Sequence, residues 1–320
     1  MKCGPLAGRF RSTLPGARLT AHMTHSPSFR IAARFVFLAG CLAVLAGCSM
    51  MRLGYGHLDT YAAWKANEYF DLDAAQKDEF ARRFDRLHEW HRYQELPGYA
   101  AFLAQTRKRL ERPLRTDDVE WFVDGIRERY ERIVMRVADD AAALLFTITP
   151  AQLDALRRQW DKDNRRFARE YRLNGADEDI KRARARRTLE QVRDWVGNLS
   201  HEQEQRIIAM ANALPITEKL RYEDRVRRQR EFLALIAQRG NDPKVFAERL
   251  RTWLIEWDKG RAPEYERRSR EWAAQRMQMV VELERMLTPH QRAIALGRIQ
   301  DYVEEFTRLA QQPAPRTAAN

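Results

Sequence analysis

Leu287-Thr288-Pro289-His290-Gln291, followed by Ala295, Ile299, Tyr302, Val303, Phe306, Leu309 and Ala310, reads as a capped helix start and the one apolar face behind it. A threonine at the N-cap accepts a bond from the N3 backbone N–H, and a glutamine at N3 accepts one from the cap's own N–H. Proline at the first helical position gives up only an N–H that has no partner inside the helix. The same pattern recurs at Leu72-Asp73-Ala74-Ala75-Gln76, Ile148-Thr149-Pro150-Ala151-Gln152 and Leu199-Ser200-His201-Glu202-Gln203. Asp73 with Gln76, Thr149 with Gln152, Ser200 with Gln203 and Thr288 with Gln291 are therefore expected to be helix-cap pairs. In this reading the cap residue matters more than the glutamine. The alternative, in which the glutamines form a recognition surface, stays open. The N4 partner of a hydrophobic staple is apolar only at Leu153, so the Leu or Ile before each cap is expected to enter the core.

Outward from these starts the chain is rich in Ala, Leu, Arg, Glu and Gln, without alternating β-branched runs. That composition and period specify helices. Glycine and proline punctuate the periodic segments at Pro97-Gly98, Pro113, Asn174-Gly175, Gly197-Asn198, Pro215, Gly240 to Pro243 and Gly260 to Pro263. The expected fold is all-α, an elongated multi-helix bundle. The order of caps, Leu-Pro pairs and Trp-containing helices suggests two related halves, 73–174 and 199–311, joined by a basic helix in 175–198. Residues 312–320 are expected to form a disordered tail.

The amino-terminal region reads differently. Arg30 and Arg34 precede Phe35-Val36-Phe37-Leu38-Ala39-Gly40-Cys41-Leu42-Ala43-Val44-Leu45-Ala46-Gly47, and Cys48 follows. A charged segment, a short apolar run and a small-residue site in that order are a secretory leader, and the run is shorter than the roughly 20 apolar residues needed for a span. Residues 1–47 are expected to be removed. Translation is expected to start at Met23, giving a signal peptide of 23–47, and residues 48–72 then form a tether and a first short helix. The leader holds six of the 57 Lys and Arg and none of the 45 Asp and Glu, so the net charge of +12 falls to +6 (51 against 45) for residues 48–320. Nucleic-acid binding loses its compositional support. Of the three cysteines, Cys3 and Cys41 fall in the leader, which leaves no disulfide to staple the body.

Leu45-Ala46-Gly47-Cys48 resembles the lipobox of bacterial lipoproteins. The resemblance implies a diacylglycerol and an N-acyl chain, commonly palmitate, on Cys48 and no other cofactor. Ser49, where retained lipoproteins carry Asp, implies the inner leaflet of the outer membrane, facing the periplasm. Cys48-Ser49, Gly54-Tyr55, Tyr69-Phe70-Asp71-Leu72 to Gln76, Trp90-His91-Arg92, Glu95-Leu96-Pro97 and Tyr99 together resemble an uncharacterised family of proteobacterial lipoproteins, known only as a domain of unknown function. The Leu-Thr-x-x-Gln pattern is similar to that of the Spy and CpxP periplasmic proteins, helical chaperones and stress adaptors.

His88 and His91, three apart on one helix, have a spacing compatible with two metal ligands but lack a third, and the His-Glu-x-x-His arrangement is absent. His201 and His290 lie just inside caps, where exposure accounts for them. The basic runs Lys181 to Arg187 and Arg225 to Arg230 suit anionic lipid head groups or, more simply, solvated helix faces. The tryptophans of residues 48–320, from Trp64 to Trp272, are expected in the core, with some lining a groove. No nucleophile elbow or phosphate-cradling glycine loop occurs. The expectation is a non-catalytic, membrane-anchored helical binding, scaffold or chaperone-like protein with the bilayer and an envelope protein as partners. The alternatives are an accessory subunit of an envelope assembly and an unrecognised hydrolase.

Overall fold

The computed structural model describes Met51 and residues 54–312. Cys48 and the leader, and residues 313–320 of the expected tail, lie outside the described residues. Among those described there are eleven α-helices and no strand: α1 (Leu58–Phe70), α2 (Ala74–Trp90), α3 (Leu96–Arg109), α4 (Thr116–Phe146), α5 (Pro150–Glu170), α6 (Asp177–Val196), α7 (His201–Ala213), α8 (Glu218–Ala237), α9 (Pro243–Ile255), α10 (Pro263–Arg285) and α11 (Pro289–Gln311). The protein is all-α. No described helix is long and apolar enough to cross a membrane.

All four expected caps are present as full capping boxes, at the starts of α2, α5, α7 and α11. Three of the four apolar residues before them enter a core as the staple argument requires, while Leu287 is only partly buried and belongs to neither core. Leu72 and Ile148 are buried in one core, with Ala142 and Leu145 of α4, Leu235 and Ile236 of α8, and Phe246 and Leu250 of α9. Leu199 packs against a second core made by Ala185 of α6, Ile207 and Ala211 of α7, and Met279 of α10. The first core thus joins α4 to α8 and α9, across the boundary between the two stretches that the sequence pairs as repeats. Helix α3 likewise lies along α11.

One break expected from sequence does not occur. Pro97-Gly98 leaves the chain helical, because α2 runs into α3 through a single π-helical turn, His91–Glu95. Proline has no N–H and its ring collides with the carbonyl four residues back. Widening the preceding turn relieves this clash, and the N–H of Leu96 bonds the carbonyl of His91, five residues earlier. Such insertions are frequent at functional positions. A glycine makes the other close approach. A Cβ on Gly125 of α4 would stand 2.3 Å from the Phe102 ring of α3, so only glycine lets that ring lie on the helix.

The many arginines have a structural use that charge counting misses. The last carbonyls of a helix lack helical partners and carry partial negative charge. Here guanidinium groups from other elements supply donors: Arg184 to Leu214 O and Pro215 O, Arg187 to Glu170 O, Arg228 to Trp253 O, Arg239 to Ile148 O and Arg292 to Leu110 O. The solvated reading of the basic runs therefore fails at particular residues. Arg184 is buried and pairs with buried Glu218 at 3.1 Å. Arg228 lies 3.6 Å over the Trp253 ring, Arg225 bonds Asn164, and Arg227 bridges Asp224 and Glu231. A planar, weakly hydrated guanidinium stacks and forks in ways an ammonium does not. The tryptophans are also less buried than expected: none is fully buried, and Trp64, Trp195 and Trp257 are exposed.

Candidate functional site

The four cap glutamines do more than cap. All are buried, and they meet in two pairs from distant parts of the chain. Gln76 Nε2 donates to Gln152 Oε1 at 3.2 Å, and Gln152 Nε2 donates to Gln76 Oε1 at 2.5 Å. Gln203 and Gln291 exchange the same two bonds at 2.8 and 2.9 Å. Each amide also donates to the carbonyl two residues before its partner's cap: Gln76 to Thr147, Gln152 to Asp71, Gln203 to Met286 and Gln291 to Asn198. Each side-chain carbonyl meanwhile accepts its own cap N–H. The arrangement is a two-fold clasp between helix starts, built twice. It corrects the expectation that the glutamine is the lesser cap partner, because a buried amide with four bonds carries more than one N-cap contact. The expected cap sites are thus all accounted for, as structure.

His88 and His91 do come together, around Tyr55 and the π turn. Tyr55 packs its ring 4.5 Å from that of His88 and 5.9 Å from that of His91, and its hydroxyl lies 2.9 Å from His91 Nδ1. Buried Arg92 stands 4.9 Å from the Tyr55 ring centroid and reaches the Leu309 carbonyl of α11. Tyr99 sets its edge against His91 and is itself met by Phe306. Burial, reinforced by His88, pushes the His91 imidazole down to about 4. Burial followed by the Arg92 charge lowers His88 as well, and burial raises the Tyr55 hydroxyl to about 12. Neutral rings and an un-ionised phenol make this a packing cluster that ties the segment before α1 to α3 and α11. Among the described residues no group of three or more His, Cys, Asp or Glu side chains is placed to hold a metal.

The feature that sequence reading missed is a cavity. Helices α1, α2, α4, α8 and α9 line a cleft of about 310 Å³, open to solvent on one side, beside the first core. Its walls include Phe70, Phe80, Phe84, Val137, Leu144 and Leu254, and its polar lining consists of Arg83 and Asp140. That pair is bonded at 2.5 Å, while Arg83 also meets Glu79 and Arg86 also reaches Asp140. Val137, Ala141 and Leu144 lie on one face of α4. The same face continues as Tyr130, Ile126 and Val123, which are exposed. Periodicity marks such a stripe as apolar but says nothing of whether a neighbour fills it. A wider opening is lined by Arg169, Arg172, Arg182 and Arg186 and edged by Asp179.

The described residues thus form an all-helical body with two glutamine clasps and an apolar cleft beside its first core. The model of a family of unknown function, DUF6279, matches residues 68–266, more than half of the chain, and the chain belongs to that family. No curated protein and no solved structure matches it.

Proposed function

We propose that this protein is a non-catalytic binding protein of the cell envelope, tethered through acyl chains on Cys48 to the inner leaflet of the outer membrane and facing the periplasm. One observation carries the binding reading. The cavity of about 310 Å³ is walled almost wholly by apolar side chains. Sites of this size and character accommodate small apolar ligands, with a few polar groups to orient them. Catalysis would need a nucleophile or a general acid–base pair at the reacting atoms. The cavity offers only a carboxylate already neutralised by arginine. The proposed partners are the bilayer, through Cys48, and an envelope component held at the cavity; nucleic acid has no part in this reading.

A second reading, docking of an envelope protein as part of an assembly or chaperone-like contact, is favoured by the exposed stripe Val123, Ile126 and Tyr130, which are 51%, 50% and 37% exposed. Photo-crosslinking in cells separates the two. With p-benzoylphenylalanine at Phe84 or at Ile126, the cavity reading expects the dominant adduct from Phe84, and the docking reading expects it from Ile126. Adducts from neither position above the level of an exposed control such as Arg186 would overturn both. The tether is tested separately. Cys48→Ser should abolish acyl labelling and release from the lipoprotein precursor, and a normally acylated Cys48→Ser protein would refute it.

A further inference from the structure

We infer that the cavity between α2 and α4 is a site for the chain of a medium-chain fatty carboxylate, with its head group at the Arg83–Asp140 rim; this rests on the cavity reading above. Three features select the occupant. The first is dryness. An ordered water needs two to four polar partners, and away from Arg83 and Asp140 the walls of this open cleft supply none, so the solvent in it is poorly held. An apolar occupant replaces no bound solvent that the walls could hold.

The second is size. An engineered apolar cavity of about 150 Å³ holds benzene, so about 310 Å³ has twice that room, enough for a chain of about a dozen carbons. A polypeptide is the wrong shape. A helix with its side chains is about 10–12 Å across, and an extended strand would bring backbone N–H and C=O groups against walls that cannot bond them.

The third is charge. Around the rim Arg82, Arg83, Arg86 and Arg136 share two carboxylates, Asp140 and Glu79. The guanidinium groups outnumber the carboxylates and leave the rim positive, and of those on Asp140 Arg86 is the freer donor, with half its side chain exposed. A guanidinium is matched in shape to a carboxylate. Entry of the head group would let Arg86 exchange its 3.3 Å contact with Asp140 for a bond to the ligand while Arg83 keeps the rim closed.

The test is photolabelling of the full-length protein in nanodiscs of zwitterionic lipid, using a dodecanoate that carries a diazirine near its chain end. Adducts are expected on 80–87 and 137–145, and unlabelled n-alkyl carboxylates should compete with them. Competition should strengthen about fourfold for each added methylene and level off near twelve carbons. An alkyl trimethylammonium of equal length should compete at least tenfold less well. Ala141→Phe, which fills the cavity, should abolish labelling with helical content unchanged; if that variant is misfolded, Val137→Met provides the same block with one smaller intrusion. Arg86→Glu should weaken labelling about tenfold. Labelling scattered over exposed surfaces, or labelling of 137–145 that persists in a folded cavity-filled variant, would overturn the inference. If cellular crosslinks from Phe84 persist while the fatty carboxylate fails to label, the cavity is a binding site and only its occupant has been misassigned; if both fail, the cavity reading falls as well.

Discussion

Replacing Gln152 with alanine separates a clasp from a simple cap. In a cap-only description the change removes one contact to the Thr149 N–H and leaves Thr149 capping the helix. The cost would then sit at the low end of about 0.5–2 kcal/mol for cap replacements. In the clasp, Gln152 accepts from Thr149 N at 2.9 Å and from Gln76, and donates to Gln76 and to Asp71 O at 3.1 Å. Its loss removes both bonds between the two buried amides and leaves Gln76 only Thr147 and the Asp73 N–H, and a buried polar group left under-satisfied costs about 1–3 kcal/mol. Asp71 and Thr149 are exposed residues, so water repairs part of the rest. The expected total is therefore about 2–4 kcal/mol, above the roughly 1 kcal/mol expected for Thr149→Ala. Urea unfolding followed by helical circular dichroism measures both. Combining Gln76→Ala with Gln152→Ala should cost less than the sum, with a coupling of about 1–3 kcal/mol, whereas Gln152→Ala with Gln291→Ala, in separate clasps, should add. A Gln152→Ala cost under about 0.5 kcal/mol, or a larger loss from Thr149→Ala, would refute the clasp.

The His91 imidazole, pushed from 6.5 to about 4 by burial and then by His88, stays neutral in the folded protein while the unfolded chain takes up a proton. Stability should therefore fall as pH is lowered from 6.5 to about 4, by roughly 2–3 kcal/mol in all, and His91→Gln should flatten that slope in unfolding curves taken across the window. Gly125→Ala should destabilise by about 1–3 kcal/mol through overpacking on Phe102, reversing the gain of about 1 kcal/mol that helix propensity alone gives alanine; adding Phe102→Leu should restore most of the midpoint, and an unchanged midpoint for the single variant would show that the ring moves freely. Arg184→Met leaves Glu218 buried without its cation and should cost about 3–5 kcal/mol, with Glu218→Gln in the same chain recovering part of it in thermal melts.

Helix starts were legible in the sequence because the signal is local. Thr149, Pro150 and Gln152 each satisfy a donor or remove one within a single turn. The entry of Leu72 and Ile148 into the core was legible for the same reason, since an apolar residue next to a cap without a staple partner must find cover elsewhere. What Gln152 does with its amide nitrogen was not legible, because its partner lies 76 residues away and the capping box uses only the carbonyl oxygen. The arginines misled for a related cause: Lys181 to Arg187 reads as charge, while the buried position of Arg184 depends on where the end of α7 falls. Pro97 marked a discontinuity correctly in place but not in kind, as the helix widened by one residue instead of ending. The cavity was the least legible feature. Val137, Ala141 and Leu144 read as an ordinary apolar stripe, and only the facing residues Phe84, Phe232 and Leu254 show that the stripe is left partly uncovered.

The claim that the cavity is a binding site, and not a gap in packing, is tested most directly by the yield of cellular crosslinks from p-benzoylphenylalanine at Phe84, measured with and without Ala141→Phe. Both Phe84 and Ala141 line the cavity, from α2 and α4. A binding site predicts a strong adduct that drops to background when the cavity is filled, while the melting temperature holds or rises. An adduct of undiminished yield in the filled, folded protein would contradict the account.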